Sequence, residues 1–315
     1  MNNESVASYA HQILNQVRQV VVGKDSVLRW VLATILAKGH ILLEDLPGVG
    51  KTTMALAFSK TLGLESNRVQ FNPDVLPSDI TGYSVLQQNT GTMVYQPGAI
   101  LCNLFLADEL NRATSRTQSA LLEAMEEGQV TVDQVSHPIP KPFVVMATQN
   151  PTGAAGTQLL PDSQMDRFMV RLSMGYPAPG DEVAMVMGRQ SGSPLDSLTP
   201  VLDHETLLAL QQQVANTYVK EPVVGYIVSL IDATRRHPEI LQGASPRATL
   251  AVTAMAKSVA QLSNRDYVTP GDVKTVFVTT VAHRIILTPT AQGKGRTAQQ
   301  LLWGILESVK APTVL

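Results

Sequence analysis

The chain has 315 residues, of which 44% are hydrophobic and 16% charged, and its formal net charge is −2. This composition excludes a largely disordered chain and a membrane-spanning one, because apolar residues occur throughout and no apolar run reaches the length of a bilayer span. The small net charge gives no general attraction to phosphates, so nucleic acid is an unlikely partner.

Cysteine and histidine give no sign of a metal centre or a thiol nucleophile. Cys102 is the single cysteine, so an intrachain disulfide cannot form, and we expect this residue to be buried. The six histidines lack the i, i+4 spacing that places two imidazoles on one metal ion. The first residues lack the basic flank and apolar core of a signal peptide, which favours a cytoplasmic location.

The first elements in chain order are two helices and a strand. The apolar stripe of the first helix consists of Val6, Ala10, Ile13, Val17 and Val21. A second helix is predicted at about residues 25–37, and a buried strand at 41–43 leads into a glycine-rich loop. Helical spacing returns after the loop, and strand, loop and helix in this order are the context of a phosphate-binding loop.

The glycine-rich loop has the residue types that hold a nucleoside triphosphate. The candidate residues are Pro47, Gly48, Val49, Gly50, Lys51, Thr52 and Thr53. The glycines allow close approach of backbone N–H groups to phosphates, and Lys51 can reach the terminal phosphates. Thr52 supplies the hydroxyl that P-loop enzymes place on Mg²⁺. Asp45 departs from the simple motif, which has glycine there, and the alternative interpretation is an ordinary glycine turn before a helix.

The pattern of the following segments is typical of an α/β fold. Further strands are predicted at residues 68–71, 104–107, 143–148 and 168–172. Helical or polar segments separate them, as in a parallel sheet covered on both faces. Two hairpin-like stretches, 82–97 and 128–142, interrupt this plan, and we expect both to project from the core.

Acidic and polar residues follow two of these strands. Asp108 and Glu109 come after strand 104–107, at the sheet edge where open α/β folds bind ligands. We expect Asp108 to hold Mg²⁺, directly or through water, and Glu109 to polarise the attacking water. Asn150 follows strand 143–148 and is a candidate to orient this water, although an ordinary Asn-Pro turn explains the same residues.

Two arginines are further candidates. Arg167 precedes the last strand and could act as an arginine finger on a neighbouring subunit's nucleotide; Arg171 is a rival, and a structural ion pair is the alternative. Arg247 lies in the first turn of a predicted helix, where a cation opposes the helix dipole and needs a nearby anion. That anion is either a nucleotide phosphate or a neighbouring carboxylate.

The second half of the chain predicts a separate helical domain. The boundaries we expect are a nucleotide-binding core at 1–176, a linker and loop at 177–200, and a helical lid at 201–315. Ser245 before Pro246 predicts a capped helix start, and Thr269 with Asp272 has the spacing of a capping box.

These motifs, in this order, resemble those of AAA+ ATPases, and longer strings are similar to the MoxR family. The strings are residues 42–52, 71–82, 107–113, 118–127 and 243–248. The resemblance spans nearly the whole chain. It implies an AAA+ P-loop core with a five-stranded parallel sheet, followed by a smaller all-helical lid domain. The hairpins at 82–97 and 128–142 correspond to the family's helix-2 insert and pre-sensor-1 hairpin.

The resemblance also implies a function. It indicates an ATPase that uses ATP and Mg²⁺, forms a homo-oligomeric, hexameric ring, and remodels or activates client proteins in a chaperone-like way. Family members often act through a partner with a von Willebrand factor A domain and sometimes help to load metal cofactors. The chain departs from common family spellings at Lys24 and at residues 114–116.

Three other functions remain open. The motor subunit of a metal chelatase is a close relative that the sequence separates poorly. A nucleic-acid motor of the helicase type is disfavoured, because the hairpin tips at 87–90 and 133–137 are nearly uncharged. A scaffold without turnover is disfavoured, because Glu109, Asn150 and Arg167 stand where hydrolysis needs them.

Overall fold

The computed structural model describes residues 5–45, 48–89, 91–150, 160–188 and 192–313. The strands are β1 (Ile41–Glu44), β2 (Ser66–Gln70), β3 (Gly82–Gln87), β4 (Thr92–Pro97), β5 (Leu104–Asp108), β6 (Gln129–Val132), β7 (Val135–Pro138), β8 (Val144–Gln149), β9 (Val170–Leu172), β10 (Ile240–Gln242) and β11 (Ile286–Leu287). The α-helices are α1 (Val6–Arg18), α2 (Asp25–Leu36), α3 (Lys51–Thr61), α4 (Pro77–Thr81), α5 (Ser115–Glu127), α6 (Asp162–Met165), α7 (Pro179–Gly188), α8 (His204–Ala215), α9 (Glu221–Arg236), α10 (Pro246–Leu262), α11 (Pro270–Val281), α12 (Pro289–Gly293) and α13 (Ala298–Ser308).

A five-stranded sheet of order β2-β5-β8-β1-β9 forms the centre of the core, and its strands are parallel. The predicted five-stranded parallel sheet is therefore confirmed. Since the strands are parallel, their carboxyl ends meet at one edge, and the segments that follow β1, β5 and β8 are neighbours there.

Side chains alternate between the two faces of the sheet, as the period of two in a strand requires. On β5, Leu104 and Leu106 join an apolar cluster with α1, α2 and α3, whereas Phe105 and Ala107 join a second cluster with α5. The first cluster continues into the helices beyond residue 200. The sheet is thus covered on both faces, and the lid shares one apolar core with it.

The N-terminal helix is shorter than its apolar stripe suggests. Helix α1 ends at Arg18, so Val21 lies in the following turn, although it is buried with the other stripe residues. Arg18 forms an ion pair with Asp25 in the first turn of α2. The stripe therefore identifies the buried residues correctly, but the backbone turns before Gly23.

Two antiparallel hairpins project from the sheet. Strands β3 and β4 pair from Gly82 with Pro97 to Gln87 with Thr92, and β6 pairs with β7 through a turn at residues 133–134. Both turn residues have positive φ, as expected for a two-residue hairpin loop. Tyr95 of β4 stacks on His137 of β7 with ring centroids 3.6 Å apart. This contact joins the two hairpins to each other.

The segment at 177–200 differs from the predicted linker and loop. It contains helix α7 and a short 3₁₀ helix at Pro194–Ser197. Proline fits the first turn of a helix, and Asp181 and Glu182 favour the positive end of the helix dipole in α7. The Pro-Gly pair at the start of this segment therefore begins a helix.

The region beyond residue 200 is mainly helical, as predicted, with one short antiparallel ribbon of β10 and β11. Thr269 and Asp272 form the predicted capping box at the start of α11. Ser245 occupies the N-cap position of α10, but its side chain makes no capping hydrogen bond. The hydroxyl instead donates to Asp166 in the core, 2.9 Å away.

Candidate functional site

The glycine-rich loop has a backbone that suits phosphate binding. Gly48 and Gly50 have φ values of 84° and 96°, in the left-handed region that favours glycine. A Cβ atom added at Gly48 would meet no described heavy atom within 4 Å, so the loop surface is open there. Helix α3 begins at Lys51, and its first turn has no acidic residue. The positive end of its dipole is therefore available to an anion. Pro47 lies outside the described residues.

Lys51 is nearly enclosed, with 7% of its surface exposed. Its Nζ donates a hydrogen bond of 2.7 Å to the backbone carbonyl of Asp45. Burial lowers the pKa of Lys51 below its ordinary value, and the negative charges of Asp45, Asp108 and Glu109 oppose this shift. The lysine is thus held at the end of β1, close to the acidic residues that follow β5.

Thr148 at the end of β8 connects the two acidic residues that follow the apolar part of β5. Its hydroxyl donates to Asp108 Oδ1 at 2.7 Å and accepts from the Glu109 backbone N–H at 2.8 Å. Arg68 of β2 pairs with the other carboxylate oxygen of Asp108, also at 2.7 Å. Three adjacent strands therefore fix the position of Asp108.

The Glu109 carboxylate is held by two side chains. Asn150 Nδ2 donates to Oε1 at 3.4 Å, and Arg112 Nη1 pairs with Oε2 at 2.7 Å. Glu109 itself has a φ of 56°, which is unusual for a residue other than glycine. The structure therefore brings Asn150 to Glu109, as expected if both act on one water molecule.

The residues around Lys51 fit a nucleotide and Mg²⁺. The Asp108 carboxylate and the Thr52 hydroxyl are oxygen ligands of the type that Mg²⁺ prefers. A deeply buried lysine, an open glycine loop and a helix N-terminus provide complementary groups for phosphates. Among the described residues, no group of three or more His, Cys, Asp or Glu side chains could hold a metal ion.

Arg167 and Arg247 meet in a second cluster. Both pair with the carboxylate of Glu126 at the end of α5, Arg167 at 3.3 Å and Arg247 through the opposite oxygen. Arg247 also lies 3.9 Å from Asp166. These residues line a cavity of about 320 Å³. The anion that Arg247 requires is a carboxylate in the single chain.

Arg171 has a different environment from Arg167. It pairs with Glu44 at the end of β1 at 3.2 Å. Arg167 Nε is buried and has no hydrogen-bond partner among the described residues. The structure therefore forms two groups from the predicted site residues: Lys51, Asp108, Glu109 and Asn150 at the sheet edge, and Arg167 with Arg247 around Glu126.

The comparisons with known proteins agree with this geometry. Residues 40–170 match the family model described as "ATPase family associated with various cellular activities (AAA)", and residues 232–303 match the AAA lid domain. The chain is 37% identical to the chaperone MoxR1 of Mycobacterium tuberculosis over 99% of its own length and 85% of that protein. It belongs to the MoxR family of AAA+ ATPases.

Two further comparisons cover the chain almost completely. The uncharacterized protein YeaC of Bacillus subtilis is 44% identical over 95% of this chain and 93% of its own length. The crystal structure of a proposed ATPase from Cytophaga hutchinsonii superposes with a TM-score of 0.90 at 34% identity, and the match covers 98% of this chain and 96% of the other. The MoxR architecture of core and lid therefore extends through the whole described chain.

The contacts of Asp45 explain why this MoxR protein has aspartate where the simple loop motif has glycine. Its carboxylate accepts hydrogen bonds from the Ser173 hydroxyl at 2.7 Å and the Gly175 N–H at 3.0 Å, and from the Met174 N–H. Lys24 Nζ donates to the carbonyls of residues 174, 175 and 176. Both donors and acceptors of this turn, which leads from the core to α7, are thus satisfied by buried charged side chains.

Several residues of the MoxR site have weak sequence signals. A cavity next to the loop has a mixed lining that includes Val20, Val22, Val49, Met174 and Met185 together with Lys24 and Thr53. Thr148 is one polar residue near the end of an apolar strand, and Arg68 lies in a predicted strand. Arg112 and Glu126 lie within the strings that are similar to the MoxR family, but no motif assigns them a contact with nucleotide. Their roles depend on contacts between distant segments.

The remaining titratable residues fit the structural role that the sequence suggested. Cys102 is buried, and burial raises the pKa of its thiol to about 12. His40 accepts from the Val145 N–H and contacts the Met125 carbonyl. None of the helices in the described ranges is long and apolar enough to cross a membrane.

Proposed function

We propose that this MoxR protein is a Mg²⁺-dependent ATPase that forms a homo-oligomeric, hexameric ring and remodels or activates client proteins. The observation that carries the proposal is the convergence of Lys51, Asp108, Glu109 and Asn150 at one sheet edge, beside an open phosphate loop. Membership of an ATPase family supports ATP hydrolysis in general.

The residues divide the work of phosphoryl transfer. Backbone N–H groups of residues 48–53 and the Lys51 ammonium would bind the phosphates, while Thr52 and Asp108 would hold Mg²⁺, which would supply charge neutralisation on the phosphates. Glu109 accepts a proton from the attacking water, and Asn150 orients that water. Arg112 and Thr148 keep Glu109 in place for this role.

Arg167 and Arg247 act on the nucleotide of a neighbouring subunit in this proposal. They converge on Glu126 and make their contacts apart from Lys51, and the Arg167 Nε has no partner among the described residues. In the ring, the γ-phosphate replaces Glu126 as the anion between the two guanidinium groups. An arginine finger of this kind contributes about 10³–10⁵ in turnover.

The client proteins are reached through the projecting hairpins and a partner with a von Willebrand factor A domain. Similarity to a protein named as a chaperone supports action on other proteins in general. The Tyr95–His137 stack joins the hairpins, so that they move together when hydrolysis shifts the core against the lid. We expect the protein to act in the cytoplasm.

The direct test is Glu109→Gln. We expect this variant to bind ATP normally and to lose steady-state hydrolysis, because glutamine cannot accept the proton. Exposed Glu205→Gln on α8 is the matched control and should retain turnover. Unchanged turnover in Glu109→Gln would remove Glu109 from the mechanism. The ATP-bound variant then serves to capture clients: a bound protein with a von Willebrand factor A domain supports the proposal, and nucleic acid alone contradicts it.

Mixed rings test the action of Arg167 across subunits. Arg167→Ala subunits keep their own Glu109, and Glu109→Gln subunits keep their own Arg167. Each variant alone should be inactive, but a mixture should recover hydrolysis, because some sites combine an intact Glu109 with a neighbour's intact Arg167. Absence of recovery in rings shown to contain both variants would contradict this assignment.

A further inference from the structure

The turn that carries Arg167 is held mainly by the lid. Arg284, in the 3₁₀ helix Ala282–Arg284, donates to Asp166 Oδ1 and to the Phe168 carbonyl, the latter at 2.7 Å. His283 Nε2 lies 2.9 Å from the same carbonyl. The residues immediately before and after Arg167 are therefore both bound by one segment of the lid.

Ser245 adds a second point of attachment. Its hydroxyl donates to Asp166 Oδ2 at 2.9 Å, although Ser245 occupies an N-cap position where a serine hydroxyl normally bonds to its own helix. The two Asp166 oxygens thus contact different lid elements, the start of α10 and the 3₁₀ helix after α11. Asp166 lies 79 residues from Ser245 and 118 from Arg284 along the chain.

Burial makes this attachment stiff. The Arg284 side chain is 2% exposed, and that of Asp166 is 20% exposed. Arg284 Nε also donates to the Thr280 carbonyl at 3.0 Å, which fixes the guanidinium to α11. In contrast, the Arg167 side chain is 30% exposed and contacts Glu126 at 3.3 Å. The turn is therefore fixed to the lid, while the side chain of Arg167 remains partly exposed.

We propose that Ser245 and Arg284 are positioning residues through which the lid of one subunit sets the Arg167 side chain that this subunit offers to its neighbour's nucleotide. The inference rests on the proposed action of Arg167 across subunits. Arg247 follows Ser245 by two residues and shares the Glu126 carboxylate with Arg167. A shift of the start of α10 therefore moves both arginines, so that the lid position of one subunit controls hydrolysis in the next.

The test uses Ser245→Ala and Arg284→Lys in the full chain. Lysine keeps the charge but lacks the planar fork with which Arg284 Nη1, Nη2 and Nε reach Asp166, the Phe168 carbonyl and the Thr280 carbonyl. We expect turnover of each assembled variant to fall, by about tenfold for Arg284→Lys, with unchanged binding of a fluorescent ATP analogue. Matched controls are Ser229→Ala, whose hydroxyl bonds within α9, and Arg265→Lys, which weakens the lid pair Arg265–Asp272. Both controls should retain turnover.

Mixing with Glu109→Gln subunits separates positioning from a general structural effect. The nucleotide site of a Ser245→Ala or Arg284→Lys subunit is intact and needs only a neighbour's well-placed Arg167. An excess of Glu109→Gln subunits provides neighbours with a well-placed Arg167. We therefore expect turnover per active site to rise severalfold in the mixture, as it should when Arg167→Ala is mixed with Glu109→Gln.

The outcomes are distinguishable. Suppose that the Arg167→Ala mixture recovers hydrolysis. The inference is then overturned if Ser245→Ala and Arg284→Lys have normal turnover, or if Glu109→Gln subunits do not restore the turnover that these variants lose. Failure of the Arg167→Ala mixture itself overturns the action across subunits and the inference with it. If Arg284→Lys does not fold, Ser245→Ala decides, because it removes one hydroxyl and no helix cap.

Discussion

The hydroxyl of Thr148 is a single group on which both acidic residues of the site depend. It donates to Asp108 and accepts from the Glu109 N–H, and the residue is fully buried. Glu109 adopts a left-handed conformation, which costs on the order of 1 kcal/mol or more and persists only where the surroundings hold it. Thr148 is therefore a support for catalytic geometry as well as for stability.

Thr148→Val tests this support. Valine has a similar shape, but it removes the Thr148 hydrogen bonds to Asp108 Oδ1 and to the Glu109 N–H, which costs about 1–3 kcal/mol. We expect a lower free energy of unfolding in urea and at least a tenfold loss of ATP turnover. Thr148→Ser keeps the hydroxyl and should retain most of both. Equal turnover in the valine and serine variants would show that the hydroxyl has no such role.

Two buried histidines predict the pH dependence of stability. Burial lowers the pKa of His40 to about 4 and that of His283 to about 3, from 6.5 in an exposed chain. Below pH 6.5 the unfolded state therefore binds protons that the folded state does not, so stability is lost as the pH falls. Below pH 6.5, each histidine lowers the free energy of unfolding by up to about 1.4 kcal/mol for every unit by which the pH falls. For His40 this decrease continues down to its folded pKa.

The measurement is urea unfolding between pH 7.5 and pH 5. We expect the free energy of unfolding to fall with pH, and His40→Gln to show a smaller slope, since one of the two titrating groups is gone. His11→Gln, at an exposed position on α1, should leave the slope unchanged. A His40→Gln slope equal to that of the native protein would exclude His40 as a source of the dependence.

At the scale of elements, the turn that leads from the sheet to α7 is held by two buried charged side chains. The turn at residues 173–176 receives the Asp45 carboxylate on its N–H groups and the Lys24 ammonium on its carbonyls. Asp45 also accepts from Lys51 through its backbone. Asp45 therefore contacts both Lys51 of the glycine-rich loop and the turn that leads to α7.

Asp45→Asn should weaken this connection. An amide presents donors as well as one acceptor, so it cannot accept from Ser173, Met174 and Gly175 together. We expect a loss of about 1–3 kcal/mol in the free energy of unfolding. Exposed Asp74→Asn is the matched control and should stay within about 0.5 kcal/mol of the native protein. A free energy of unfolding equal to that of the native protein would show that the Asp45 carboxylate does not stabilise this turn.

At the scale of the whole molecule, the predicted site residues form two separate groups within one chain. A single chain holds Lys51 and Glu109 at one place and Arg167 with Arg247 at another, where both arginines pair with Glu126. In our proposal, a chain completes its site only with a neighbour. We therefore expect the monomer to bind ATP but to hydrolyse it slowly.

We expect turnover per chain to rise with protein concentration and to level off when oligomers form. Light scattering measured in parallel with ATP hydrolysis checks this expectation. Arg167→Ala should assemble over the same concentration range without the rise in turnover. Turnover per chain that is constant from monomer to oligomer would show that the site is complete in one subunit.

The elements and motifs of this protein are determined by its sequence, because they depend on residues close together in the chain. Apolar runs predict the five strands, and the loop, Asp108 and Glu109 follow two of them directly. The helix in the predicted linker was missed because Pro and Gly mark both helix starts and loops. Local sequence rules cannot distinguish a helix start from a loop at such a Pro-Gly pair, because the contacts around the segment decide between them.

Tertiary structure alone decides which of these residues meet. Arg247 lies 121 residues from the Glu126 that it shares with Arg167, and Asp45 lies about 130 residues from the turn it holds. The Ser245 hydroxyl could cap its own helix or reach the core, and only packing of the lid directs it to Asp166. Sequence spacing fixes local geometry, whereas contacts at such separations depend on how the sheet, its helices and the lid pack together.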